Sequence, residues 1–153
     1  MNEENKTIKT GWREWVALPE LGIPAIKAKV DTGAKTSALH TFNIEPFTKN
    51  NREYIKFKLH PLQKNTDLVI ECVSPVLDKR VVKDSGGHAE ERFVILTPIR
   101  LGELVIPIEI TLTNREDMQF RMLLGRSALT KANIDVVPSQ SYKLGRNLKQ
   151  AYN

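Results

Sequence analysis

The sequence predicts an all-β protein, its sheet closed into a barrel or stacked as a sandwich, and two observations carry that expectation. Apolar residues recur at every second position along most of the chain, in short runs separated by turn residues. Only the segment "RSALTKAN", residues 126–133 after Gly125, reads as a helix, and it is short. Many short strands with almost no helix must bury their sheet against itself.

In chain order, the first strands are "REWVAL" (13–18) and "AIKAKVD" (25–31), divided by the turn Gly22-Ile23-Pro24. Then comes "YIKFKL" (54–59), where Ile55, Phe57 and Leu59 alternate with Lys56 and Lys58. Asn50-Asn51 marks the turn before it. "LVIECV" (68–73), "PVLDKRVV" (75–82) and "RFVILTP" (92–98) follow. After the turn Leu101-Gly102, "ELVIPIEITL" (103–112) sets Leu104, Ile106, Ile108, Ile110 and Leu112 on one face, and "FRMLL" (120–124) leads into the helix. Trp12 and Trp15, three apart, fall on opposite faces of a strand, so at most one is core. The expected division is a frayed N-terminus over residues 1–10, one domain over 11–142 and a polar C-terminal tail over 143–153.

A chain of 153 residues is one domain by size and can bury a core without staples. No apolar run approaches the roughly 20 residues of a membrane helix, and the start "MNEENKTIKT" has no apolar leader, so a cytoplasmic protein with no membrane partner is expected. The single cysteine, Cys72, fits a reducing compartment. The formal net charge is +5, but the basic residues are scattered and no stacking or zinc-finger pattern accompanies them, so nucleic acid is not the expected partner.

The chemistry begins at "KVDTGAKTSALH". An apolar strand delivers Asp31 to a turn where Thr32 offers a hydroxyl and Gly33 lets backbone amides approach. The same tripeptide also closes ordinary Asx turns, so it does not identify a site by itself. Much later "MLLGRSAL" places Leu123, Leu124 and Gly125 directly before the helix.

Asp31-Thr32-Gly33-Ala34 together with Leu123-Leu124-Gly125-Arg126 resembles the two fixed elements of retropepsin-like aspartic proteases. From "GWREWVALPEL" to "MLLGRSAL", roughly residues 11–142, the chain is similar to the bacterial retropepsin-like proteins associated with RimK-type glutamate ligases, often labelled ATP-dependent zinc proteases. The resemblance implies a closed retropepsin-type barrel. It makes Asp31 the catalytic aspartate, with Thr32, Gly33 and Ala34 shaping its turn and Leu124 and Gly125 supporting it from behind. Arg126 is expected in an ion pair beneath the site or at a dimer interface.

Aspartic proteolysis needs two carboxylates sharing one proton, one acting as base toward a water and the other as acid toward the scissile carbonyl. One Asp-Thr-Gly in the chain implies a homodimer with Asp31 of each copy on the two-fold axis. A rival is Asp84-Ser85-Gly86, the basis of a pseudo-symmetric monomer. Only 53 residues separate Asp31 from Asp84, and no second apolar-apolar-Gly-Arg element follows it. The better reading of Asp84, Ser85, Gly86, Gly87 and His88 is the tip of a hairpin flap that covers and contacts substrate.

No metal and no cofactor is expected. His40, His60, His88 and Cys72 have no zinc-ligand spacing, no H-E-x-x-H is present, and there is no phosphate-binding Gly-x-x-x-x-Gly-Lys loop. Three function classes remain: an aspartic peptidase, an inactive retropepsin-fold module that partners a RimK-type glutamate ligase, and a zinc-dependent protease. The intact Asp31 favours the first. Its substrate is a peptide or protein, and an acidic, glutamate-rich or glutamylated one suits the basic chain, with Lys29, Lys35 or Arg126 lending positive field.

Overall fold

Alternation with one face buried is what the chain builds. The computed structural model describes residues 7–83, 86–145 and 151–152. Its strands are β1 (Ile8–Thr10), β2 (Arg13–Leu18), β3 (Ile23–Asp31), β4 (Ser37–Lys49), β5 (Arg52–Leu59), β6 (Ile70–Pro75), β7 (Asp78–Lys83), β8 (Ala89–Leu101), β9 (Leu104–Asn114), β10 (Met122–Gly125) and β11 (Ile134–Val136), with one helix, α1 (Arg126–Lys131). The all-β expectation holds. No helix among the described residues is long and apolar enough to cross a membrane.

The main sheet runs β10-β3-β2-β8-β9-β4-β5-β6, and a further pairing of β10 with β4 brings it round on itself. The ring encloses the core: Leu18, Ile26, Leu39, Phe57, Ile95, Ile99, Ile110 and Leu124 are all buried in one cluster. Ile55, Phe57 and Leu59 lose all exposure while Lys56 and Lys58 keep some, as period two requires. Trp15 is buried in a second, smaller cluster with Ala25 and Leu62, whereas Trp12 lies ahead of β2, partly exposed and edge-on to Phe120.

Three details differ from the sequence reading. The longest unanticipated strand is β4, whose pattern is broken by Asn43 at φ 52° and by a register shift between Phe42 and Glu45. Its hairpin to β5 turns on Asn50-Asn51, both at positive φ. Second, Ile8–Thr10 is a strand, parallel to Ile134–Val136, with Thr10 buried and Val136 half-buried. Residues 1–6 lie outside the described residues.

Third, the described part of the polar C-terminal segment is tied to the body of the fold. The fully buried carboxylate of Glu14 accepts the amides of Gly11 (2.6 Å), Lys143 (2.9 Å) and Leu144 (3.0 Å), which satisfies a charge that burial otherwise penalises. Arg13 lies over the rings of Trp12 and Tyr142, and the Tyr152 hydroxyl meets the open backbone of Ala25.

Candidate active site

The end of β3 explains the position of Asp31. β10 runs parallel to β3, pairing Leu124 with Val30 and Gly125 with Asp31, and antiparallel to β4, pairing Leu123 with Ala38. It is thus threaded between the two strands that the 32–36 loop joins. That loop crosses directly over Gly125, where a Cβ would come within 2.6 Å of the Thr36 carbonyl carbon and 2.8 Å of the Ser37 amide. Glycine is the residue that fits. The Gly125 amide donates to the Ser37 hydroxyl (2.9 Å), and the Arg126 and Ser127 amides donate to the carbonyls of Ala34 and Lys35.

Within the turn, the Gly33 amide donates to Asp31 Oδ1 at 3.0 Å and the Ala34 amide to the Asp31 carbonyl at 3.3 Å. On the other side the Val30 amide donates to the Trp12 carbonyl, so the peptide entering the turn is also held. Thr32 and Gly33 are exposed and Asp31 is half-buried. Arg126, whose guanidinium is exposed, donates from Nη1 to the Thr32 carbonyl (3.0 Å) and so reaches from the start of α1 to the turn's backbone.

A cleft of about 940 Å³ opens beside this turn. Gly33, Ala34, Lys35 and Thr36 form one wall, Ser127, Ala128 and Lys131 of α1 continue it, Ala38, Thr111 and Leu123 make the floor, and Arg80–Lys83 of β7 with Arg92 and Leu96 of β8 make the opposite wall. Asp31 stands at the edge of this cleft rather than on its floor, since it is the turn after it that lines the wall. β7 and β8 are antiparallel up to Lys83 opposite Ala89, so Gly86, Gly87 and His88 belong to the tip of their hairpin. Gly87 sits there at φ +82°. Asp84 and Ser85 lie outside the described residues.

The cleft is basic. Among the described residues Lys35, Arg80, Lys83, Arg92 and Lys131 line it against one carboxylate, Glu109. Lys35 was legible as a source of field; the others were not, because β7, β8, β9 and α1 supply them from positions remote in sequence. Ser37 was likewise missed, and only its small hydroxyl beside the Asp-Thr-Gly segment could have flagged it.

The histidines do not converge. His40 Nδ1 shares a hydrogen bond with the Thr113 hydroxyl (2.6 Å), which also lies 3.3 Å from the Leu39 carbonyl. Burial, with Arg115, Arg92 and Arg121 nearby, pushes His40 down to about 4. His60 stacks on Phe42, and His88 belongs to the hairpin tip. Burial and Glu71 push the Cys72 thiol up to about 12, which leaves it inert as nucleophile or ligand at neutral pH. Among the described residues no three of His, Cys, Asp or Glu are grouped to hold a metal.

A strand threaded behind an Asp-Thr-Gly turn, at the edge of a cleft walled by a long hairpin, defines a retropepsin-like protein. A family model for the RimB-like retropepsin-like aspartic endopeptidases matches residues 9–147, and the chain belongs to that family. It is 48% identical over 141 residues to a "probable alpha-L-glutamate ligase" of Desulfotalea psychrophila, covering 92% of this chain and 30% of that protein. It is 49% identical over 140 residues to one so named from Parasynechococcus marenigrum, covering 92% and 30%. The chain therefore spans under a third of these curated relatives. A solved Legionella pneumophila protein of unknown function superposes with a TM-score of 0.76 at 29% identity, covering 91% of this chain and 99% of that one.

Proposed function

We propose that this protein is an aspartic-type peptidase in which Asp31 is one carboxylate of a dyad completed by the partner's Asp31 in a homodimer. Its substrates are acidic, glutamate-rich or glutamylated peptides, and it works in company with a RimK-type glutamate ligase. The observation that carries this reading is the pairing of Asp31, held on both sides by backbone, with a cleft that carries five cations and one carboxylate among the described residues. A half-exposed Asp31 at the cleft edge suits a site that a second copy closes. Two apposed carboxylates would share one proton; the ionised one takes a proton from water as that water attacks the peptide carbonyl, and the protonated one donates to the carbonyl oxygen. The hairpin tip, with Gly86 and Gly87, is the segment that closes over bound peptide.

The test is Asp31→Asn beside wild type on a mixed peptide library that includes acidic sequences. Hydrolysis should fall by about a thousandfold or more while thermal melting is unchanged. A statine-type inhibitor should block the wild type and a chelator should not. Full activity in the variant, or inhibition by the chelator alone, would remove the aspartic mechanism. The names of the longer relatives favour a second reading, an inactive module that docks a glutamate ligase. On that reading wild type hydrolyses nothing in the library, and both proteins bind the ligase equally.

A further inference from the structure

The single carboxylate that lines the basic cleft among the described residues is already bound. Glu109 Oε1 lies 2.7 Å from Arg80 Nη2, and Arg80 Nε is 3.0 Å from Asp78 on its own strand. Both partners line the cleft, Arg80 from the β7 wall and Glu109 from β9. Glu109 stands in the run Ile106, Ile108, Ile110 and Leu112 that faces the core, so it belongs to the opposite, cleft side of β9.

The register makes this contact informative. Arg80 is opposite Arg92 on β8, whereas Glu109 is opposite Leu96, four residues further along. In a flat sheet two strands over and four residues along is roughly 16 Å between Cα atoms. The two side chains must both extend toward each other to span it. The ion pair therefore bridges the cleft face from β7 across β8 to β9, where both partners line the cleft. Both side chains keep about two-fifths of their exposure, 40% for Arg80 and 36% for Glu109, so an incoming group can reach them.

We propose that Glu109 is an internal stand-in for a substrate carboxylate, and that an acidic peptide binds by replacing Glu109 on Arg80, so that Arg80 is a specificity-determining residue whose readiness Glu109 controls. This rests on the acidic-peptide reading above. The other cations fit the assignment. Lys131 donates to the Pro107 carbonyl and Arg92 pairs with Glu90, while Lys35 keeps no side-chain partner among the described residues. Lys35 attracts the ligand in general; Arg80, a planar fork already matched to a carboxylate, selects it. Uncharged peptides have nothing to exchange for Glu109 and leave the pair closed.

The experiment measures binding, so it does not depend on turnover: fluorescence anisotropy of a labelled glutamate-rich peptide and of its glutamine counterpart, on the Asp31→Asn protein. Glu109→Gln in that background should tighten the glutamate peptide about three- to fivefold, the worth of one half-exposed ion pair, and leave the glutamine peptide unchanged. Arg80→Gln should erase most of the difference between the two peptides. The exchanged pair, Arg80→Glu with Glu109→Arg, should restore thermal stability without restoring acidic selectivity, which separates recognition from simple pinning of the hairpin. If the starting protein binds both peptides equally, the acidic-peptide reading has failed. If it prefers the glutamate peptide but Glu109→Gln leaves that preference unchanged or weakens it, the exchange is wrong while the reading stands.

Discussion

At the scale of single residues, Asp31 and Gly125 were legible because each combines an unusual residue type with a local pattern: a charge at the end of an apolar strand, and a glycine between an apolar pair and a helix. What the sequence withheld is the reason for Gly125, which is the 2.6 Å approach of a loop 89 residues earlier, at Thr36 (125 − 36 = 89). His40 shows no ligand spacing in the sequence, and burial gives it a different consequence. The folded imidazole titrates at about 4, against about 6.5 in the unfolded chain, so on acidification the unfolded state takes its proton first. Stability from this residue is fully present above pH 6.5 and declines as pH falls to about 4, by on the order of 3 kcal/mol in total. Urea denaturation at pH 7.5 and at pH 4.5 should show the loss, and His40→Gln should shrink it. A His40→Gln protein as acid-sensitive as wild type would assign the effect to other groups.

At the scale of elements, long strands with clean alternation were readable and the chain's two ends were not. β5 and β9 announce themselves through Ile55, Phe57, Leu59 and Ile108, Ile110, Leu112. β4 did not, since Asn43 and Pro46 interrupt its period and its identity depends on pairing with β5, β9 and β10 at once. β1 and β11 are three residues each and form only because each is the other's partner. The C-terminal segment reads as polar, yet two of its amides complete the shell of Glu14, a contact 129 residues apart in the case of Lys143. Truncation after Gln140 removes two of that carboxylate's three amide donors. Losing the partners of a buried charge costs about 3 to 5 kcal/mol, so the shortened protein should melt about 6 to 20 °C lower, and Glu14→Gln should recover part of the loss. Melting within a degree or two of the full chain would show that the segment is only laid on the surface.

At the scale of the whole molecule, the proposed function makes the ring of strands one half of an active site. Threading β10 behind the turn fixes Asp31 from behind and from the Trp12 side, and leaves its carboxylate at the open edge of the cleft with only the Gly33 amide bonded to it among the described residues. The acid and base division proposed for catalysis needs a second carboxylate there, and a two-fold axis through the edge supplies it without any further residue from this chain. Composition and periodicity carry no information on such an axis; the proposal of one rests on the count of one Asp-Thr-Gly. Mixing distinguishes a shared site from an independent one. Take a fixed amount of wild type at a concentration that keeps it dimeric and add an equal amount of Asp31→Asn, allowing subunits to exchange. Random pairing leaves about a quarter of the dimers with two intact aspartates among twice as many dimers, so hydrolysis should fall to about half of its starting rate. If each chain works alone, the added variant is a bystander and the rate stays where it was. Dilution separates the two cases independently: the rate per molecule should fall with concentration for a site built from two chains, because dissociation separates the carboxylates, and should be constant for a site built from one.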